Sequence, residues 1–283
     1  MDQLLLKPIK HFSGTINLPG SKSLSNRALL LAALANGETK LENLLLSEDT
    51  EQMLNALKQF GIAIEFIDVR SDKKSSLPTT TCVVSGNAGL FTPPNESHFS
   101  LGNAGTAIRP LTSILSLSQG TFTVDGDQYM RERPIAHLAE ALVQLGAKIS
   151  YTGKEGCPPI RIEGGKITGG NVNIRGDISS QYLTSLLMAL PLAPRDSAIS
   201  IIGKQVSKPY LDITLDIMKK FGVYAAHDNY QHFTLSGAQQ YQSPGTYLIE
   251  GDASSASYFY AAGAIGHGPV KVTGLGSKSV QGD

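Results

Sequence analysis

Three short stretches of this chain carry side chains suited to holding anions. The first is Ser21, Lys22, Ser23 and Arg27 in LPGSKSLSNRALLL; the second is Asn103, Gly105, Thr106 and Arg109 in LGNAGTAIRP; the third is Ser179, Ser180 and Gln181 in ISSQYL. Each stretch follows a short strand and a glycine turn and opens a helix. The first backbone N–H groups of a helix have no partner within it, and its dipole adds partial positive charge at that end. Such a turn is an anion site in waiting. Taken singly, serine and asparagine at these places read as helix caps. Three such turns, two of them with added cations, point to one polyanionic ligand with phosphate, carboxylate and hydroxyl groups.

The elements that position these turns recur along the chain. Segments beginning at Gly14, His98, Gly170 and Gly245 share one pattern at a spacing of roughly 75 to 85 residues. Each is a short strand, a turn around Gly20, Gly102, Gly176 or Gly251, a helix rich in Ala, Leu and Ser, and another strand. The first three continue into a second helix that ends in a bulky residue and glycine, at Gly61, Gly146 and Gly222. The fourth reaches only SVQGD. The expected architecture is three complete β, α, β, α, β, β units and part of a fourth.

Periodicity fills in the second half of each unit. Apolar residues three and four apart predict helices over Asp49–Phe60, Pro134–Leu145 and Pro209–Phe221, with Met53, Leu54, Leu57 and Phe60 facing inward. Strands are expected over Ile62–Val69, Cys82–Ser85, Lys148–Tyr151, Ile160–Glu163 and Phe233–Ser236, separated by Gly, Pro and Asn turns. Residues 70–81 and 90–96 read as surface loops.

Composition removes several classes of function. Lys plus Arg and Asp plus Glu both number 24, so no net field draws the protein to nucleic acid or to an anionic membrane, and any anion selectivity must be local. The longest apolar run, 28–35, is too short to span a bilayer, and the N-terminus has no cleavage-like segment. A cytoplasmic protein is expected. Cys82 and Cys157 fall in no metal-binding spacing and read as free thiols; no metal and no cofactor are expected.

The stretches LPGSKSLSNRALLLAALA, LGNAGTAIRPL, RERPI, ISSQYLTSLLMALPLAP, VSKPYLDITL and GTYLIEGDASSASYF closely resemble those of the 5-enolpyruvylshikimate-3-phosphate synthase family, and the likeness covers essentially the whole chain. The resemblance implies an α/β (α+β) fold of repeated βαβαββ units, in two enolpyruvyl transferase-like domains with the site between them. It implies residues 21–250 as a shikimate 3-phosphate-binding domain of three units. Residues 1–20 and 251–283 then belong to a second domain that is mostly missing. The implied reaction moves the enolpyruvyl group of phosphoenolpyruvate to the 5-hydroxyl of shikimate 3-phosphate and releases phosphate, serving chorismate and aromatic amino acid biosynthesis. Both substrates are anionic, which accounts for clustered Lys and Arg in a neutral protein.

Site roles follow from the same resemblance, residue by residue. Lys22 is the expected catalytic group, touching phosphoenolpyruvate near the reacting hydroxyl. Ser23 and Arg27 are expected at the carboxylate end of shikimate, and an Arg one helical turn beyond Ser23 lies on its face of the helix. Gly105 lets a phosphate approach the backbone because no Cβ intervenes, and Thr106 shapes that pocket. Arg133 forks onto phosphoenolpyruvate, with Arg131 a weaker candidate. Ser179 and Ser180 take the phosphate of shikimate 3-phosphate, Gln181 bridges the two substrates, and Ser207 and Tyr210 in VSKPY add a hydroxyl and a ring. The glycine of LGNAGTAIRP resembles the glyphosate-sensitive form.

The implied partners are the two small-molecule substrates and the missing C-terminal domain. Alone, the polypeptide is expected to bind shikimate 3-phosphate with little turnover, its strands after Gly251 having no sheet to join. UDP-N-acetylglucosamine enolpyruvyl transferase and a non-catalytic binding module are the competing readings.

Overall fold

The computed structural model describes residues 8–70, 79–92 and 97–282. Two units follow the expected order without exception. The middle one runs β5 (Ser97–Ser100), α3 (Gly105–Leu117), β6 (Thr121–Asp125), α4 (Ala136–Gln144), β7 (Lys148–Tyr151) and β8 (Ile160–Glu163). The next runs β9 (Gly170–Arg175), α5 (Ser180–Ala189), β10 (Ser197–Ile202), α6 (Lys208–Lys220), β11 (Ala225–Asp228) and β12 (His232–Leu235). Each forms a four-stranded sheet, β5-β6-β8-β7 and β9-β10-β12-β11, whose first pair is parallel and whose other pairs are antiparallel.

The first unit differs from its sequence reading at one strand. It holds α1 (Lys22–Leu34), β2 (Glu38–Leu45), α2 (Glu48–Gln59), β3 (Ile64–Arg70) and β4 (Thr79–Ser85). Its leading place is taken by β13 (Thr246–Leu248), paired parallel to β2, and not by β1 (Gly14–Asn17). Strand β1 instead pairs in parallel with β14 (Val270–Thr273), beyond α7 (Ala253–Ile265). The expectation that strands after Gly251 lack a sheet is therefore corrected: β14, the one strand there among the described residues, has β1 as a partner.

The exchange has a visible cause. The two connections cross at an antiparallel bridge between Gly20 and Gly251, flanked by Ser21 N–H donating to Glu250 O at 2.8 Å and Asp252 N–H to Pro19 O at 3.1 Å. A Cβ on Gly20 would lie 2.0 Å from Asn43 O, and one on Gly251 would lie 2.8 Å from Leu18 Cβ. Only glycine lets two backbones pass this closely.

The helices divide into two kinds. In α1, α3 and α5, the first helices of their units, nearly every residue is buried; in α1 the buried run is continuous from Leu24 to Leu34. Helices α2, α4 and α6 are amphipathic and bury one stripe, such as Met53, Leu54 and Leu57 on α2. Phe60, just beyond α2, stacks on Phe91 and Phe99 at 4.4 and 4.5 Å between ring centroids. The bulky-residue–glycine ends behave alike: Gly61, Gly146 and Gly222 have φ of +80°, +99° and +79°, the left-handed stop that glycine supplies at a helix C-terminus.

Strand β4 begins at Thr79, three residues before the expected start, so 79–81 are strand and not loop. Residues 71–78 and 93–96 of the two expected loops lie outside the described residues. Cys82 and Cys157 are unpaired and buried, and burial pushes the Cys82 thiol up to about 12. Among the described residues no helix is long and apolar enough to cross a membrane, and no cluster of three or more His, Cys, Asp or Glu could hold a metal.

Two outcomes are expected. Native protein should leave both thiols unlabelled by a disulfide reagent at pH 8, and denatured protein should label both; fast labelling of Cys82 in the native state would contradict its burial. Leu30→Ala, at a wholly buried position of α1, should cost roughly 2 to 5 kcal/mol in urea unfolding.

Candidate functional site

The starts of four helices meet around one cavity of about 180 Å³. Helix α1 contributes Ser23 and Arg27, α3 contributes Thr106, and α5 with its preceding turn contributes Ile178, Ser179, Ser180 and Gln181. Helix α6 adds Ser207 and Tyr210. Four N-termini aimed at one space superpose their positive ends there. Capping does not absorb that potential evenly. Ser179 Oγ accepts from Gln181 N–H at 3.3 Å, as a cap should, but the residues before α1, α3 and α6, which are Ser21, Ala104 and Ser207, make no side-chain cap.

Arg27 supplies the formal charge. It is only 5 % exposed, and its guanidinium donates to Thr214 Oγ1 and Ser23 O at 3.0 Å each, and to Thr184 Oγ1 and Tyr210 O at 3.5 Å. All of these acceptors are neutral. Desolvation by burial lowers its pKa to about 10, against smaller opposing effects of Tyr210 and Tyr247. A buried cation held by neutral oxygens is short of an anion. Ser207 is held at φ +53°, ψ +44°, a left-handed conformation uncommon for serine, immediately before Lys208-Pro209 opens α6. Strain of this kind collects at binding sites.

A second cluster adjoins the cavity. Arg109 Nη1 donates to Gln181 Oε1, and its guanidinium lies 5.2 Å from the centre of the Tyr182 ring. Arg133 Nη1 donates to Asn103 O and Oδ1 at 3.0 and 2.8 Å. Between the two arginines sits Gly105, where a Cβ would come 2.8 Å from Arg133 Nη2 and 3.2 Å from Arg109 Nη1. Burial lowers the pKa of Arg109, and the neighbouring Arg133 lowers it further while Tyr182 opposes. Two like charges beside a glycine backbone make a second place for an anion.

The expected residues thus separate into two groups. Ser23, Arg27, Ser179, Ser180, Gln181, Ser207 and Tyr210 share the cavity, and Thr106 lines it with them. Gly105 and Arg133 belong to the adjoining cluster, and Gln181 touches both. Lys22 lines neither; its ammonium pairs with Asp49 at 3.0 Å. Arg131 is committed elsewhere, its guanidinium forking onto Asp125 at 3.0 and 2.6 Å. Sequence reasoning gives no role to Asn26, Gln205 or Asp49, and leaves Arg109 without a ligand. The position of Asn26, directly before Arg27 on a helix, is the one available signal.

Repeated βαβαββ units whose leading helices start at one polar cavity have the architecture of the enolpyruvyl transferase-like fold. Two solved EPSP synthase structures from Acinetobacter baumannii share it, at TM-scores of 0.80 and 0.76 and 26% identity, covering 96% and 92% of this chain and 58% and 54% of theirs. The family model described as EPSP synthase (3-phosphoshikimate 1-carboxyvinyltransferase) matches residues 6–283, and the chain belongs to that family. Curated relatives named 3-phosphoshikimate 1-carboxyvinyltransferase include those of Enterobacter sp. (strain 638), 57% identical, and Sulfurovum sp. (strain NBC37-1), 54% identical, both over all 283 residues. The chain spans 64% of the length of each.

The burial of Arg27 has a signed consequence. Between about pH 10 and arginine's ordinary value the unfolded chain holds a proton that the folded chain has released, so this group's contribution to stability rises with pH. At pH 7 its charge therefore costs the fold on the order of a few kcal/mol, each tenfold loss of proton affinity being worth about 1.4 kcal/mol. Arg27→Met should raise Tm at pH 7 while removing anion binding; a lower Tm would contradict the cost assigned to the charge. Gly105→Ala should leave Tm within about 2 °C, since the obstructing atom is the mobile end of Arg133, and should weaken anion binding at the second cluster roughly tenfold in a phosphate titration. Gln205, buried with Oε1 unpartnered and Nε2 donating to Val206 O at 2.7 Å, should tolerate replacement by Leu with unchanged or higher Tm.

Proposed function

We propose that the cavity binds shikimate 3-phosphate, that the Gly105–Arg133 cluster binds phosphoenolpyruvate, and that the two sites serve transfer of the enolpyruvyl group with release of phosphate. The carrying observation is the convergence of four helix N-termini and a buried arginine, without an acidic partner, on one small polar cavity. The phosphate fits Ser179, Ser180 and Ser207, where three hydroxyls and the starts of two helices meet. Arg27 and Ser23 take the carboxylate end, and the Tyr210 ring covers the carbocycle. Gln181, bonded to Arg109 and lining the cavity, stands between the substrates. Lys22 reaches phosphoenolpyruvate by leaving Asp49, an exchange of one exposed ion pair for another that costs little. With Gly105 bearing no Cβ, glyphosate has room beside Arg133.

The chemistry needs a group to take the 5-hydroxyl proton and one to protonate the enol carbon. No carboxylate or imidazole lines the cavity among the described residues. Binding of shikimate 3-phosphate then falls to residues 21–250, and the polypeptide by itself has little turnover, each general acid–base step being worth about 10²- to 10⁴-fold. Residues 1–20 and 251–283 belong to a second domain. The β1–β14 pair supports this division, as does α7, which carries no charged residue and yet has Tyr258 and Ile265 each 78 % exposed. A helix of that composition belongs in an interior, here one completed by the length of the relatives that this chain does not span. The two buried, unbridged thiols suit a cytoplasmic setting.

Calorimetric titration with shikimate 3-phosphate tests the reading. Stoichiometric binding, lost in Arg27→Ala and kept in a Lys10→Ala control, is the expected result. No binding at millimolar ligand would overturn the assignment of the first substrate to this cavity, and turnover at ordinary enzyme rates in a phosphate-release assay would overturn the assignment of the proton-transfer groups elsewhere.

A further inference from the structure

We propose that Asn26 is a positioning residue: it fixes Thr106 as a hydrogen-bond donor into the cavity and sets the spacing between the cavity and the Gly105–Arg133 cluster. This rests on the proposed function of the cavity. Asn26 is 1 % exposed on α1, next to Arg27, and its Nδ2 donates to Thr106 Oγ1 at 2.6 Å across 80 residues of chain. Thr106 lines the cavity and follows Gly105 in the first turn of α3. One side-chain bond therefore joins the helix that carries Arg27 to the turn that carries Gly105.

Two features of the neighbourhood show why the bond is needed. Pro110 lies inside α3 and has no N–H to give to the carbonyl of residue 106, so the first turn of this helix lacks a rung of its ladder. Ala104 before it makes no side-chain cap either. A turn so weakly held locally takes its position from tertiary contacts, and the contact with Asn26 is a short one between two helices. The second feature is an imbalance at Asn26 itself: its Oδ1 is buried without a hydrogen-bond partner. Leaving such an acceptor unpaired works against the fold. A buried amide kept at that cost is explained by what its other end does.

That other end sets a direction. Because Nδ2–H occupies a lone pair of Thr106 Oγ1, the threonine hydroxyl is left with its proton to give, and the cavity is where it can give it. A phosphate or carboxylate oxygen accepts and never donates, so a hydroxyl fixed as donor is the matched partner. Without Asn26 the hydroxyl turns freely and can bond to a backbone carbonyl three or four residues earlier, a competition common for threonine in helices.

The test compares Asn26→Leu, Thr106→Val, the double variant and Thr106→Ser with the parent chain. Calorimetry with shikimate 3-phosphate gives affinity, thermal unfolding gives Tm, and ¹H–¹⁵N spectra of the free proteins follow the Gly105 amide and the Arg109 Nε. Asn26→Leu should weaken binding about tenfold, the worth of one hydrogen bond, with Tm unchanged or raised. The double variant should bind no more weakly than Thr106→Val, and Thr106→Ser should stay within about twofold of the parent, since serine keeps the oxygen. Asn26→Leu should also shift the Gly105 and Arg109 signals, and Thr106→Ser should leave them close to the parent positions. An unchanged affinity in Asn26→Leu, or losses that add in the double variant, would overturn the proposal. Should the parent fail to bind shikimate 3-phosphate, the function assigned above falls; the spectra then decide on their own, and Gly105 and Arg109 signals unmoved by Asn26→Leu would overturn the link between the helices.

Discussion

Everything at the site depends on α1 being buried on every side. From Leu24 to Leu34 every residue of this helix is buried, so its arginine cannot be satisfied by bulk water. The neighbouring elements must do it. Thr184 from α5, Thr214 from α6 and the Tyr210 carbonyl converge on Arg27 for that reason, and in doing so they bring the starts of α5 and α6 to the start of α1. Thr106 arrives through Asn26. The cavity is the space left where these elements meet without filling it.

The same economy explains the outer parts. Three sheets share one strand order, the leading helices pack on one another, and the amphipathic α4 of one unit packs against β9 of the next. In the first unit the leading strand is β13, which enters from the far end of the sequence and passes β1 at Gly20 and Gly251. Any force on the β1–β14 pair is therefore transmitted to the residues that flank the start of α1. Ser21 N–H and Glu250 O form one of the bonds at this crossing, and Ser21 is the residue that opens α1. A movement of the terminal segments relative to the three-unit body would act on the start of α1 through this junction and on the start of α6 where Gly282 lies against Pro209.

Much of this is legible in the sequence, and the parts that are not stay hidden for identifiable reasons. The repeat, the amphipathic helices and the glycine stops follow from local rules of periodicity and backbone freedom, and the structure contains them. Ser23, Arg27, Thr106, Ser179, Ser180 and Gln181 can be gathered from the sequence because helix starts advertise themselves by composition, whereas Ser207 and Tyr210 are reached only through the family resemblance. The exchange of β1 and β13 is not legible in the local pattern: GTIN and GTYL are alike, and parallel pairing between segments so far apart in the chain leaves no local mark, so only the family resemblance, which sets residues 1–20 with 251–283, points to it. The early start of β4 escapes notice because a run of polar threonines reads as loop, although β-branched threonine also suits an inner strand such as β4. Lys22, expected at the site, is turned to Asp49, a partner on another helix that spacing along the chain cannot reveal. Asn26 and Gln205 are invisible for the opposite reason. A polar residue reads as a solvated position until its burial is known.

Several unfavourable features of this structure lie at the site, while others, such as the unpartnered Ser197 Oγ and the left-handed Ala88 and His267, lie elsewhere. The desolvated charge of Arg27, the left-handed Ser207 and the unpartnered acceptors of Asn26 and Gln205 all lie on or immediately beside the elements that frame the cavity. A chain selected for stability alone would replace each by an apolar residue or a relaxed turn, since removing both partners of a buried polar contact is often neutral or better. Their grouping means that the free protein holds its site in a conformation that a ligand would otherwise have to induce. Under the proposed function, the stability given up in the empty state would return on binding, because an anion beside Arg27 would restore its charge to favourable surroundings without rearranging the helix starts that meet it.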